Sequence, residues 1–495
     1  MKFLVYKDGQ LRKDFTLSGA YLFGADMIPF RHIEAIRFED GVIECTKKSQ
    51  DAAGLALLWP VEGFGRLLLS TTRIPERAEP YILNVELARA RLMQITLKRE
   101  DWALFDQSDT LEAQAQEAQD LFIDALQHIC NPEKASVLAD KALAKGLEFS
   151  ETLAARHAEQ YLALRFKNRG LGRHSLGCVV EPTLLKNQRY RKWLLEMFGF
   201  VTIPINWGAI EKKRGEFDFD LLDDCLDALG GKRLALCAGP LLCFEPSLVP
   251  QWLLKDTKDF EKIRERAYEF VSAIVSRYAK YIHAWRVISG MNAANCFEFS
   301  FEQALEMTRT ACLAAKAADN KSRKIVDILC PWGEYYAFNK TTVPPLVYAD
   351  MVIQSGISFD AFGLQFHFGK DEPGMHVRDM MQISSRLDCF AAVPKAIHIT
   401  GVSIPDRPGA GPTDPQLAGC WRSAWDPEVQ ADWLEQFYKV SLGRPFINTV
   451  TYSHLADTGS LPVAGCGLLN EKCNPKQSFL VVAKFQKAIH KHLHQ

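Results

Sequence analysis

Four acids each follow a short apolar run of this chain: Glu245, Glu334, Asp406 and Asp457. Two carboxylates held across a cleft can share a hydrolysis, one supplying a proton and the other attacking the substrate. Loop acids more often cap helices or pair with Lys and Arg, so both uses stay open. Glu334 is the best single candidate, because "PWGEYY" sets it among aromatics, where burial would raise its pKa. Glu245 is the second. Gln365 and His367 are polar residues in the apolar run "AFGLQFHF", suited either to orienting a hydroxyl group or to being satisfied inside a core. Trp207, Trp332, Tyr335, Tyr336 and Tyr452 offer flat apolar faces. Ligand contact is expected for Trp207 and Tyr452, and packing for the others. No His/Asp pair shows metal-ligand spacing, no CxxC occurs and no G-x-G-x-x-G follows a strand, so neither a metal nor a cofactor is expected.

These residues need a scaffold. From Leu176 onward a short apolar run alternates with an amphipathic helix eight times. The runs are 176–180, 200–205, 233–238, 284–288, 325–329, 361–365, 395–400 and 447–451. Apolar strands alternating with helices predict a parallel sheet, and eight units over residues 172–495 predict a closed (β/α)8 TIM barrel. Its chemistry would sit at the C-terminal ends of the strands. His398 lies three residues before Gly401; strand alternation therefore turns it to the opposite face, in a structural role.

Residues 1–105 read as a β-rich module of sandwich or jelly-roll type, either a carbohydrate-binding-like unit or a structural cap. "EDGV" predicts a hairpin turn. Residues 106–171 read as a helical connector of three helices, with Asn131 as a cap and Gly146 as a stop.

With 59 basic against 60 acidic residues, no broad basic surface for nucleic acid is expected. The apolar runs fall far short of the ~20 residues needed to span a bilayer, so no membrane is expected as a partner. The opening "MKFLVYKDGQLRKDF" is unlike a secretory signal. Thirteen cysteines are scattered singly, which suits small buried hydrophobes in a reducing compartment. A cytoplasmic protein is expected, and the sequence names no protein partner.

Residues 172–495 resemble family-10 glycoside hydrolases, the xylanase type. "FGFVTIPINWGAIEKKRGEFDFDLLDD" is similar to the family's second-strand signature, and "SRYAKYIHAWRVISG" to its fourth strand. "AFGLQFHF" resembles the sixth strand, "IHIT" the seventh, and "GLLNEKCNPKQSF" the turn before the final helix. The resemblance implies a retaining mechanism by two glutamates about 5–5.5 Å apart. Carried over by motif, the acid/base falls on Gly290 and the nucleophile on Gly401. Glycine can neither donate a proton nor form a glycosyl ester.

Other positions depart too. Thr202, Ile203 and Asn206 stand where the family has Glu, Asn and Lys before the Trp, and Tyr452 replaces the Trp that floors the sugar site. Trp207, Asn206, Gln365, His367 and Tyr452 remain to hold a sugar. The expectation is a xylan-type carbohydrate protein disabled in the retaining mechanism, acting through an oligosaccharide ligand or a protein contact. The alternatives are an active O-glycosyl hydrolase using relocated carboxylates (Glu334, Glu245), and a structural or assembly protein with a plugged barrel.

Overall fold

The computed structural model describes residues 1–31, 35–102, 109–231, 234–256, 258–459 and 461–493. Its centre is a closed parallel barrel. In chain order the eight barrel strands are Leu176–Val179, Phe200–Ile203, Ala235–Ala238, Ala284–Ser289, Arg323–Leu329, Ala361–His367, Ala396–Ser403 and Ile447–Tyr452. The first pairs with the second and the eighth, and the third with the fourth, so no edge is left open. Each strand follows its expected run to within three residues at either end, apart from Arg233, which lies outside the described residues. The strands are buried along nearly their whole length, as expected of a parallel sheet covered by helices.

The outer helices start where their caps dictate. Ser300 and Gln303 form a capping box before Phe301–Ala318, and Asp379 and Gln382 form another before Met380–Ala391. Asp426 accepts from two backbone N–H groups before Pro427–Gly443, whose proline occupies the first turn.

Two irregularities matter for the site. Pairing between the sixth and seventh strands skips Thr400, because Leu364 faces Ile399 and Gln365 faces Gly401. Such a bulge turns two successive residues to one face. It aims both Thr400 and Gly401 at the barrel axis and overrides the alternation that was expected to separate Gly401 from His398. A second bulge lies between Arg286 and Ile288 in the fourth strand.

The N-terminal region forms two four-stranded sheets. One contains Ala35–Glu39, Val42–Thr46, Lys2–Leu4 and Tyr81–Ile82 in spatial order. Its hairpin turns at Asp40 and Gly41, both at positive φ, as "EDGV" predicts. The other sheet contains Tyr21–Phe23, Gly54–Val61, Gly65–Ser70 and Cys420–Trp421. Its last strand comes from the barrel, between the seventh and eighth barrel strands, and lies antiparallel to Gly65–Ser70.

The β-rich stretch ends earlier than expected. Residues Leu83–Asp101 form helix α1, within the span whose pattern predicts a β module. Helix α2 spans Asp109–Gln127, and helix α3 runs unbroken over Pro132–Lys167, capped by Asn131. Gly146 therefore stops nothing. A Cβ there would lie 3.1 Å from Arg91 Cγ, so the glycine permits the close approach of α1 to α3.

Module, connector and barrel share one buried apolar cluster that runs from Met1 to Ile489. Polar anchors bind them further. Arg91 of α1 forms a buried ion pair with Asp379. Glu151 of α3 accepts from Met380 N at 2.6 Å. Arg165 donates to the carbonyls of Leu442, Arg444 and Ile447. Among the described residues no helix is long and apolar enough to cross a membrane.

Candidate functional site

Asp327, on the fifth barrel strand, is fully buried and points into the barrel. Space for it comes from Gly363 on the sixth strand, where a Cβ would fall 1.9 Å from Asp327 Oδ1. Arg286 on the fourth strand donates through Nε to Asp327 Oδ2 at 2.6 Å. Thr400, carried inward by its bulge, donates to Asp327 Oδ1 at 2.9 Å. A buried carboxylate is tolerable only with such partners.

Toward the strand ends the chain of bonds continues. Gln365 Nε2 donates to Asp327 Oδ2 at 3.3 Å and to Ser289 Oγ at 3.2 Å. Gln365 Oε1 then accepts from His367 Nε2 at 3.2 Å, and His367 Nδ1 accepts from Ser403 Oγ at 2.8 Å. These partners place the imidazole proton on Nε2. Burial pushes the His367 pKa down to about 3, helped by His454 and Arg286. The ring is neutral at pH 7, so it can orient a hydroxyl group but holds no second proton to give away. Gln365 and His367 are only half-buried.

Gly401 belongs to this cluster. A Cβ at that position would lie 3.2 Å from the His367 ring and from Ser453 Oγ. Gly290 follows the fourth strand at φ +75°, and its Cβ would meet Leu329 Cδ1 at 2.7 Å. His398 is buried near the opposite ends of the strands, bonded through Nδ1 to Thr449 Oγ1 at 2.7 Å.

The relocated carboxylates sit in different settings. Glu334 is 1% exposed and forms an ion pair with Arg378, whose guanidinium lies 4.6 Å from the Trp332 ring centroid. It is held as a structural acid, not presented to a cleft. Asp406 and Asp457 share Lys476 at 2.8 and 3.2 Å, tying the loops after the seventh and eighth strands to the approach of the last helix. Glu245 differs. It is half-buried beyond the third strand, and among the described residues no hydrogen bond or ion pair engages its carboxylate. Burial raises its pKa, Glu372 adds to the rise, and Lys370 opposes it.

The expected aromatic platform is corrected by the structure. Trp207 is 2% exposed, donates to Glu211 Oε2 at 2.7 Å and stacks on Phe270 at 5.0 Å. It belongs to the packing between the second strand's loop and an outer helix. Tyr452 is 0% exposed and donates its hydroxyl to Cys466 O at 2.8 Å. Neither ring presents a face to a ligand. Asn206 caps a short helix by accepting from Ala209 N at 3.1 Å. Trp332 and Tyr335 are buried, in keeping with a packing role, and Arg31 lies over the ring of Tyr336.

Arg286, Asp327, Thr400 and Ser403 are not among the site residues that the sequence pattern predicts. The signal for the first two was present: each is a lone charge inside an apolar run, "AWRVIS" and "IVDIL". Ser403 and Thr400 carry no such signal.

Comparison with known proteins bears on this geometry. The model of glycosyl hydrolase family 10 matches residues 163–484. "Endo-1,4-beta-xylanase 5-like" of Arabidopsis thaliana is 25% identical over 246 residues, 47% of this chain and 40% of its own length. "Endo-1,4-beta-xylanase 5" of the same plant is 20% identical over 247 residues, with the same shares. The match thus spans less than half the length of these relatives. Among solved structures, a GH10 endoxylanase retrieved from sugarcane soil metagenome matches at a TM-score of 0.51 and 16% identity, covering 66% of this chain and 99% of that one. A GH10 structure from Paenibacillus barcinonensis matches at a TM-score of 0.50 and 18% identity, covering 66% of this chain and 97% of that one. At such identities the likeness speaks for the barrel alone.

Proposed function

The chain belongs to glycosyl hydrolase family 10, and from that premise we propose a xylanase-like barrel of carbohydrate metabolism that binds a β-1,4-linked oligosaccharide without cleaving it. The observation that carries this reading is the setting of Gly401. In the position that the family motif gives to the nucleophile, the axis side holds Gln365, His367 and Ser403, a neutral hydrogen-bonded chain. Such a chain can exchange bonds with sugar hydroxyls. It offers no carboxylate to attack an anomeric carbon, and Gly290 offers no acid to protonate the leaving oxygen.

Geometry explains why this state is self-consistent. Thr400 and Gly401 share one face, so the bulge spends its inward direction on the bond from Thr400 to Asp327. Asp327 is neutralised by Arg286 beside it, which leaves the mouth without net charge from this pair. The reading needs no metal or cofactor.

A second reading rests on Glu245 alone. An acid whose pKa is raised by burial and that has no fixed partner is suited to general acid catalysis. Under that reading the protein would hydrolyse an activated glycoside without a glycosyl-enzyme intermediate.

Calorimetry with xylo- and cello-oligosaccharides tests the choice, paired with turnover of aryl β-glycosides. Saturable binding without turnover, weakened at least tenfold in the Gln365→Ala and His367→Ala variants, is the expected result. Turnover lost in Glu245→Gln would replace the first reading with the second. Absence of both heat and turnover would leave a scaffold role for the barrel.

A further inference from the structure

We propose that a cavity at the seam between the N-terminal sheet and the barrel is a binding site for a small amphipathic anion, one oxyanion head on an apolar body. The cavity encloses roughly 470 Å3, within the range of about 300–1,000 Å3 typical of small-molecule sites. Three parts of the fold wall it: the strand Tyr21–Phe23, helix α1, and the barrel helix Met380–Ala391.

Its lining is mostly apolar, with Tyr21, Phe23, Met93, Leu97, Trp332 and Met381 facing the space. Met side chains adapt to ligands of irregular shape. Into this lining project two guanidinium groups, those of Arg378 and Arg386. Arg378 is balanced by its ion pair with Glu334, yet its Nε is a buried donor with no acceptor. Arg386 has no such close partner. Among the described residues no hydrogen bond or ion pair engages its guanidinium, although the group is only partly exposed. Burial disfavours its charge and so does the neighbouring Arg378, while Cys389, Tyr21 and Glu334 favour it.

A partly buried charge without a partner is costly, and an opposite charge that enters the same space with good hydrogen-bond geometry offsets that cost. The guanidinium fork matches the two oxygens of a carboxylate or a phosphate. Charge at the rim points the same way. Arg73 lines the cavity, as does Lys98, whose ammonium is already paired with Asp101 and Asp388, and Asp26 is the one carboxylate of the lining. Inorganic phosphate would satisfy the arginine but leave the apolar walls uncovered. A neutral apolar molecule would do the reverse. An anionic amphiphile satisfies both.

Calorimetry on the full chain with decanoate, decyl phosphate and decanol, each below its aggregation limit, tests the site. We expect saturable one-to-one binding of at least one of the two anions, with decanol at least tenfold weaker. The better anion identifies the head group. Arg386→Gln should weaken the anion tenfold or more and leave decanol unchanged, and Arg386→Lys should recover part of the loss. Met93→Glu, at an exposed position of the lining on α1, adds a competing negative charge and should weaken the anion more than decanol; it decides the matter should the arginine variant fail to fold. Bound anion should also slow alkylation of Cys389, which lines the cavity, and not that of the exposed Cys130. Decanol binding as tightly as the anions, no saturable binding at all, or an anion affinity unmoved by both substitutions would each overturn the assignment.

Discussion

Asp327 shows how a single charge can fix the character of a barrel. It accepts from Arg286, Thr400 and Gln365 in a space that Gly363 leaves open. Removing one partner of a buried pair costs more than the pair itself contributes, because the remaining charge is stranded in low dielectric. Asp327→Ala is therefore expected to lower unfolding free energy by about 3–5 kcal/mol, measured in urea. Thr400→Val removes one neutral donor from a carboxylate that keeps its other partners, and should cost about 1–2 kcal/mol. Equal effects of the two substitutions would show that the charge balance around Arg286 is not what holds the barrel centre. Asp327 also locks Gln365, and through it His367, so a loss of sugar affinity should accompany the loss of stability.

At the scale of elements, the barrel was the legible part. Eight apolar runs separated by amphipathic helices have few solutions, and the strands formed where those runs lie. The helix α1 was hidden because its chain, "LNVELARARLMQITLKRED", buries residues on several sides and follows strands without a turn signal. Gly146 misled because a glycine in a helix reads as a stop, whereas here it marks a helix crossing. The candidate site was legible only in part. Gln365 and His367 stood out as polar residues in an apolar run. The bulge at Thr400 has no local signature, so strand alternation put His398 and Gly401 on opposite faces. Trp207 and Tyr452 failed for another reason: an aromatic beside a strand end reads the same whether it faces a ligand or a helix. The two motif glycines also differ as elements. Gly401 lacks a positive φ and has polar neighbours that can give, whereas Gly290 sits at φ +75°, where a side chain is strained by about 1–3 kcal/mol. Gly290→Glu should therefore lower the melting temperature more than Gly401→Glu. The reverse order would mean that the fourth-strand turn relaxes freely and that the glycine there is not required by the backbone.

Over the whole molecule, the N-terminal region behaves as a wall of the barrel and not as an appendage. The barrel contributes the strand Cys420–Trp421 to its sheet, and Arg91 and Arg165 reach across the seams. His157 of α3 lies in one of these seams, stacked on Trp102 at 4.4 Å. Burial, aided by Arg444, pushes its pKa down to about 4. His398 and His454 are likewise lowered to about 4, and His367 to about 3. The unfolded chain takes up these protons near pH 6.5 and the folded chain only near 3–4, so this stability is full above pH 6.5 and is lost as the pH falls. Asp140 works in the opposite sense. Burial raises its carboxyl to about 7, so its contribution is present below about pH 4 and is lost as the pH rises toward 7. The two trends overlap between pH 4 and 6.5, which makes the wild-type profile a poor witness and its variants good ones. His157→Gln should flatten the acid limb, since each such histidine contributes at most about 1.4 kcal/mol per pH unit. Asp140→Asn should instead remove a loss between pH 5 and 7, so that the variant gains on the wild type as the pH rises. Urea unfolding at pH 4.5, 5.5, 6.5 and 7.5 separates the two. Parallel profiles for wild type and both variants would mean that neither group is titrated differently by folding, and that the seams are wetter than their burial implies.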